Sequence, residues 1–193
     1  MNTHRFAPEI TLSAKTLLIG SLPPEGAAFY FSNSSNTRLW DLLSALKSNS
    51  NEVGKGGYRL ATERKIENLE NLKIGISDII YQYERDDPLS GKDTDIIPKK
   101  YNDLLQLAYD NGIDELLFVY QSALKWFNHS RQGVEPVRLR NLQGKYEIGP
   151  QSNVMFKGKV IKCVLLPSPL SRGTRGQTLS FKLDVYRKYL VES

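Results

Sequence analysis

The sequence predicts an α/β fold: a three-layer α/β/α arrangement around a central, mainly parallel four-stranded sheet, with 1–193 forming a single domain. Three observations predict it. Four short runs are nearly all apolar, as strands buried on both faces must be. Stretches with apolar residues at helical spacing separate these runs. The runs end in loops rich in Ser, Pro and Asn, where open parallel sheets place their ligands.

The elements follow in order. Thr16-Leu17-Leu18-Ile19-Gly20-Ser21 reads as the first strand, followed by a Pro, Ser and Asn loop up to Asn36. Leu39, Trp40, Leu42, Leu43 and Leu46 share one face of a helix over about 37–47, and Trp40 belongs to the core. Residues 49–58, with Gly54-Lys55-Gly56-Gly57, read as a mobile loop. Thr62 is placed to cap a polar helix to about 73. Residues 74–83 read as the second strand and 84–97 as a charged loop. Pro98 suits the first turn of a helix to 110, which Gly112 stops. Residues 115–120 form the third strand, and 121–129 a short helix burying Leu124 and either Trp126 or Phe127. A hairpin is expected around 145–157, the fourth strand over 160–166 and a closing helix over 177–191.

Composition bounds the function. Of 193 residues, 40% are hydrophobic and 24% charged, an ordinary globular balance. No apolar run is long enough to cross a bilayer, and the first residues carry no secretory pattern, so a cytoplasmic chain is expected, nucleoid-associated if bacterial. Cys163 is the single cysteine, which excludes an internal disulfide and a four-cysteine metal site. The two histidines, His4 and His129, lack metal-ligand spacing, and His129 reads as a helix-end residue. The acids of 86–95 lack the glycine and glutamate pattern of a calcium loop. No cofactor, metal or membrane partner is expected, and a monomer is. The net charge is +5, concentrated between Lys157 and Lys188, which suits a polyanionic partner.

Several residues at the strand ends have chemistry to offer. Asp78 is an acid inside an apolar strand, a placement that costs free energy unless the carboxyl is paired or used. Asn36 stands where an aromatic loop meets a helix start, so it is either an N-cap or a reactive amide. Tyr30 and Phe31 are available for stacking or for the core, with Phe31 the better stacker. Leu170 is an apolar residue on an otherwise polar loop, Pro167-Ser168-Pro169-Leu170-Ser171-Arg172, and is either exposed or packed inward.

Three segments carry a resemblance: Gly20-Ser21-Leu22-Pro23-Pro24 with the aromatic loop through Trp40, then Gly75-Ile76-Ser77-Asp78, and then Pro167-Ser168-Pro169-Leu170-Ser171-Arg172. In this order and spacing the chain resembles the uracil-DNA glycosylase superfamily, nearest its mismatch-specific and hypoxanthine-DNA glycosylase branches. The resemblance spans about 16–190. It implies an enzyme that flips a deaminated base, uracil or hypoxanthine, out of DNA and hydrolyses its glycosidic bond. It further implies Asn36 and Asp78 as catalytic, with Phe31, Tyr30 and Ser21 binding the base. Ser168, Leu170, Ser171 and Arg172 would contact DNA, Leu170 as the wedge that fills the vacated stack. Leu22 departs from the pattern, since many members carry a water-activating Asn or Asp there. Pro167 replaces the histidine of the main uracil branch. The alternatives are a DNA-binding protein of the same fold that does not cut, or a hydrolase of nucleoside-type small molecules.

Overall fold

A computed structural model describes residues 1–23, 27–31, 36–86, 95–131, 136–137, 151–171 and 177–192. In chain order the strands and helices are β1 (Asn2–Thr3), β2 (Thr16–Gly20), α1 (Leu39–Lys47), α2 (Thr62–Leu72), β3 (Ile74–Asp78), β4 (Ile80–Arg85), β5 (Ile96–Tyr101), α3 (Leu104–Asp110), β6 (Glu115–Phe118), α4 (Gln121–Ser130), β7 (Gln151–Phe156), β8 (Lys159–Leu165) and α5 (Leu179–Leu190). The central sheet has the order β3-β2-β6-β8-β7. The four predicted strands supply its parallel part, and β7 adds a fifth, antiparallel edge.

Both faces of that sheet are covered, which explains the lack of polar alternation in its strands. Side chains alternate across a strand. Leu18, Leu117 and Val164 therefore face a core shared with α1, α2 and α5. Leu17, Ile19, Leu116 and Phe118 face the other core, with α3 and α4. Burying each such side chain contributes about 1.5–3 kcal/mol. Among the described residues no helix is long and apolar enough to cross a membrane.

Several expectations are corrected. The stretch 74–83 is not one strand. It bends at Ile79, whose N–H donates to the Gly20 carbonyl (3.0 Å), and β4 then leaves for a separate antiparallel sheet of order β1-β4-β5. Pro98 does not open a helix. It lies in β5 opposite Tyr83, on an edge strand, where its missing N–H is tolerated. The helix begins at Leu104 instead, and Asp103 caps it by accepting from the Gln106 N–H (3.0 Å). Thr62 is the first residue of α2 and caps nothing, since Ala61 holds the N-cap position.

The hairpin lies later than expected: β7 pairs with β8, the expected fourth strand itself, and the turn is at Lys157 and Gly158. Their φ angles of 48° and 78° suit the tight turn that matches strand twist. Residues 145–150 of the expected stretch lie outside the described residues.

The loop at 54–60 is pinned rather than mobile. Arg38 donates to the Gly54 carbonyl, and Asp41 accepts from Arg38 and from the Gly57 N–H. The buried Lys65 amine donates to the carbonyls of Tyr58 (3.0 Å) and Leu60 (2.6 Å). Asp41 and Lys65 are buried on the helices, and a buried charged group requires such partners.

Candidate active site

The carboxyl ends of β2, β3, β6 and β8 share one end of the sheet, because those strands are parallel. Gly20 ends β2 directly beside Asp78, which ends β3. Gly20 is required there by close approach. A Cβ at that position would stand 2.1 Å from Asp78 Oδ1 and 2.5 Å from Phe31 Cζ. A carboxyl edge and an aromatic ring therefore meet over one bare backbone position.

Asp78 is only 2% exposed. Its Oδ2 lies 3.0 Å from Nε2 of His4, and its backbone carbonyl accepts from the Asn102 amide (2.7 Å). His4 reaches it because the first residues add β1 to β4, and the His4 N–H donates to the Tyr81 carbonyl (2.7 Å). The sequence signalled that Asp78 needed a partner but not which one, since His4 is 74 residues away.

Phe31 is 8% exposed and has φ 55°, a left-handed conformation uncommon for a bulky residue. Its ring lies 5.9 Å from that of Tyr120, the residue before α4 and two past the end of β6, which no motif announced. Tyr30 corrects the expectation of a stacking role. It is wholly buried, its ring packs against His4, Phe6 and Phe29, and its hydroxyl donates to the Ala7 carbonyl (2.9 Å). Burial foremost, then the charges of Asp78 and Glu9, push its phenol well above the ordinary range. Trp40 donates from its indole to the Tyr30 carbonyl (2.7 Å) and so fixes the turn that carries Phe31.

Asn36 is exposed and is not an N-cap, since Arg38 holds that position of α1. Its segment joins the loop after β8. The Asn36 carbonyl accepts from the Ser171 N–H (2.6 Å), Thr37 bridges Leu170, and the Arg38 N–H donates to the Pro169 carbonyl (2.7 Å). The 167–171 loop is also held from α5. Tyr186 donates to the Pro167 carbonyl (3.1 Å), and the buried Lys182 amine donates to the Leu170 carbonyl (2.7 Å). Desolvation by burial lowers the Lys182 pKa. Leu170 stays 39% exposed on this clamped loop, and Ser171 beside it is exposed as well.

Ser168 is half-buried and Ser21 is buried, with its carbonyl accepting from the Ile80 N–H (3.2 Å). Arg172 lies outside the described residues. Leu22 is half-buried against the α3–α4 core, which accounts for hydrocarbon at that position.

Asp78 and the Leu170 loop stand three strand intervals apart in the order β3-β2-β6-β8, roughly 14 Å at ~4.8 Å per interval. Phe31 lies between them, against Gly20 on one side and Tyr120 on the other. A separate cavity of about 580 Å³, lined in part by Asn102, Phe127, Arg131 and Phe156, includes none of Asn36, Asp78, Phe31 or Leu170. Among the described residues no group of three or more His, Cys, Asp or Glu is placed to hold a metal ion.

The fold and the corner at Gly20 define a class, the α/β proteins with a mostly parallel sheet between helix layers and polar loops at its carboxyl edge. Within that class the chain shares its fold with a solution NMR structure from Methanosarcina acetivorans, a protein provisionally named a uracil DNA glycosylase. The TM-score is 0.59, identity is 18%, and the match covers 96% of each chain. No protein-family profile matches the sequence, and no curated protein does.

Proposed function

We propose that the chain is a DNA glycosylase that flips a deaminated base, uracil or hypoxanthine, and hydrolyses its glycosidic bond. The observation that carries this reading is the corner at Gly20, where Asp78 Oδ1 and the Phe31 ring converge at the carboxyl edge of a parallel sheet. An exposed Leu170 on a loop clamped from two sides stands across that edge. The fold shared with the Methanosarcina acetivorans protein adds support.

In this reading Leu170 enters the stack and the extruded nucleotide spans the edge to Phe31. Base–aromatic stacking contributes about 1–3 kcal/mol. The Phe31 ring now fills the corner, so a base stacks there only after the ring swings outward. Deamination gives uracil an N3–H and hypoxanthine an N1–H, where cytosine and adenine have bare acceptors. An acceptor oxygen of Asp78 rewards that new donor and repels the parent bases. Bond cleavage leaves positive charge on the sugar and negative charge on the departing base. The Asn36 amide holds water against the sugar carbon as that charge develops. Ser168, Ser171 and Arg172 contact phosphates.

The test is base release from oligonucleotides containing uracil, hypoxanthine or xanthine, single- and double-stranded, read as alkali-labile strand breaks. Release from at least one is expected. No product on any of them removes the proposal. The half-buried Leu22 favours a second reading, binding without cleavage, because a side chain packed on hydrocarbon holds no water. That reading predicts salt-sensitive DNA binding with no free base. A nucleoside-type hydrolase needs no wedge, so it predicts that Leu170→Ala keeps full activity.

A further inference from the structure

We infer that His4 is a positioning residue that forces Asp78 to present an acceptor, never a donor, at the Gly20 corner. The inference rests on the glycosylase reading above and adds the element that selects deaminated bases. His4 Nε2 lies 3.0 Å from Asp78 Oδ2, and both side chains are almost fully buried. The other ring nitrogen, Nδ1, lies 2.7 Å from the Phe6 carbonyl oxygen and 3.1 Å from the Phe6 nitrogen. The shorter contact to an oxygen calls for a hydrogen on Nδ1.

The proton between Nε2 and Oδ2 then has two places to sit. Either His4 is cationic and Asp78 ionised, or both are neutral with the proton on Oδ2. In both states Oδ1, the oxygen turned toward Gly20 and Phe31, bears no hydrogen. If Nδ1 instead accepts from the Phe6 N–H, Nε2 carries the proton and Oδ1 is again an acceptor. A buried carboxyl without His4 would take up a proton at higher pH and could carry it on either oxygen. A hydrogen on Oδ1 would then pair with the bare ring nitrogen of an unmodified base. His4 thus removes the state that confuses cytosine with uracil.

Among the described residues, other groups also face the pair. Tyr30 packs on the imidazole at 5.6 Å between rings, and its phenol stays protonated. Glu9 is a second charge, after Asp78, acting on the Tyr30 phenol. The Asn102 amide is taken by the Asp78 backbone carbonyl.

The experiment compares His4→Leu with His4→Gln in full-length protein, reading base release against pH. His4→Gln restores a neutral donor to Oδ2. In His4→Leu the acidic limb of the rate profile should move up by at least one pH unit, with activity returning at higher pH. In His4→Gln it should stay within half a unit of the parent. In parallel, NMR of the His4 ring should show an Nε2 proton shifted downfield by its hydrogen bond to Oδ2, a signal lost in Asp78→Asn. An unshifted limb in His4→Leu, or equal rate losses in both His4 variants with no shift, overturns the inference while the glycosylase reading survives. If His4→Leu fails to fold, that proton signal decides: a ring spectrum unchanged by Asp78→Asn overturns the shared proton. Absence of base release by the parent protein instead overturns the glycosylase reading.

Discussion

Gly20 has no side chain, and the space a methyl would need is taken by Asp78 Oδ1 and the Phe31 ring. Gly20→Ala should therefore cost about 1–3 kcal/mol, the usual range for overpacking, and abolish base release even where the protein still folds. Denaturant unfolding and the release assay check the two effects separately. Asn36 offers the opposite case. It is exposed and its fold-supporting contact to Ser171 comes from the backbone carbonyl. In Asn36→Ala base release should fall by roughly 100-fold or more, the scale set by losing one polar group aimed at developing charge, and denaturant unfolding separates that loss from any change in stability. A mutant with parental turnover would deny the amide its catalytic role. Cys163 is informative through its pKa. Burial pushes its thiol up to about 12. The unfolded thiol ionises near 8.5, so between these values the native state holds the extra proton and stability falls as pH rises. The slope is at most about 1.4 kcal/mol per pH unit for one group, and Cys163→Ala should flatten it in urea unfolding at pH 8 to 10.

The loop after β8 is the element on which the proposed DNA contacts depend. It is fixed from three directions: by the 36–38 segment, by Tyr186 and by Lys182. These ties hold the backbone at Leu170 while its side chain stays exposed, and a fixed loop lowers the entropy lost on inserting the proposed wedge. Lys182→Met should separate stability from function. Removing a buried amine relieves its desolvation, so the melting temperature should hold or rise. Loss of the tie to the Leu170 carbonyl should nevertheless weaken extrusion, read as slower base release or weaker fluorescence from 2-aminopurine placed beside the lesion. Parental extrusion in a correctly folded variant would mean that the loop keeps its shape without the amine. The 54–60 loop teaches a related lesson. Its glycines read as a mobile stretch, yet Arg38, Asp41 and Lys65 tie it to α1 and α2. Its composition reported only what the backbone tolerates, and tertiary partners decided what it does.

Across the molecule the charge expected for a polyanionic partner is divided between two ends. Lys159 and Lys162 pair with Asp114 and Glu115 at the amino end of β8, the opposite end of the strands from the candidate site. Lys157 sits in the β7–β8 turn, its amine over the rings of Tyr109 and Phe156. Arg187 is tied to Ser50 and Asn51. The clustering of these residues in sequence therefore overstated a single basic face. Lys157→Gln and Lys159→Gln should leave DNA affinity and its salt dependence unchanged, whereas a phosphate contact would lower the log–log salt slope by about one unit. A titration of labelled DNA at several salt concentrations makes the measurement, and a reduced slope would put the nucleic acid at that end of the sheet.

The sequence by itself determined the layered α/β architecture and brought Gly20, Asp78 and the Leu170 loop to one edge. Apolar runs without alternation leave a strand no solvent-facing side, and parallel strands put their endings together. It also exposed the cost of Asp78. Tertiary structure alone decided that His4 meets that cost, that Tyr30 belongs to the core while Phe31 reaches the corner, and that Asn36 is tied to Ser171 instead of capping a helix. Those outcomes depend on contacts between segments far apart in the chain. The local pattern of charge and hydrophobicity fixes which groups need partners, and only the packed chain selects the partners.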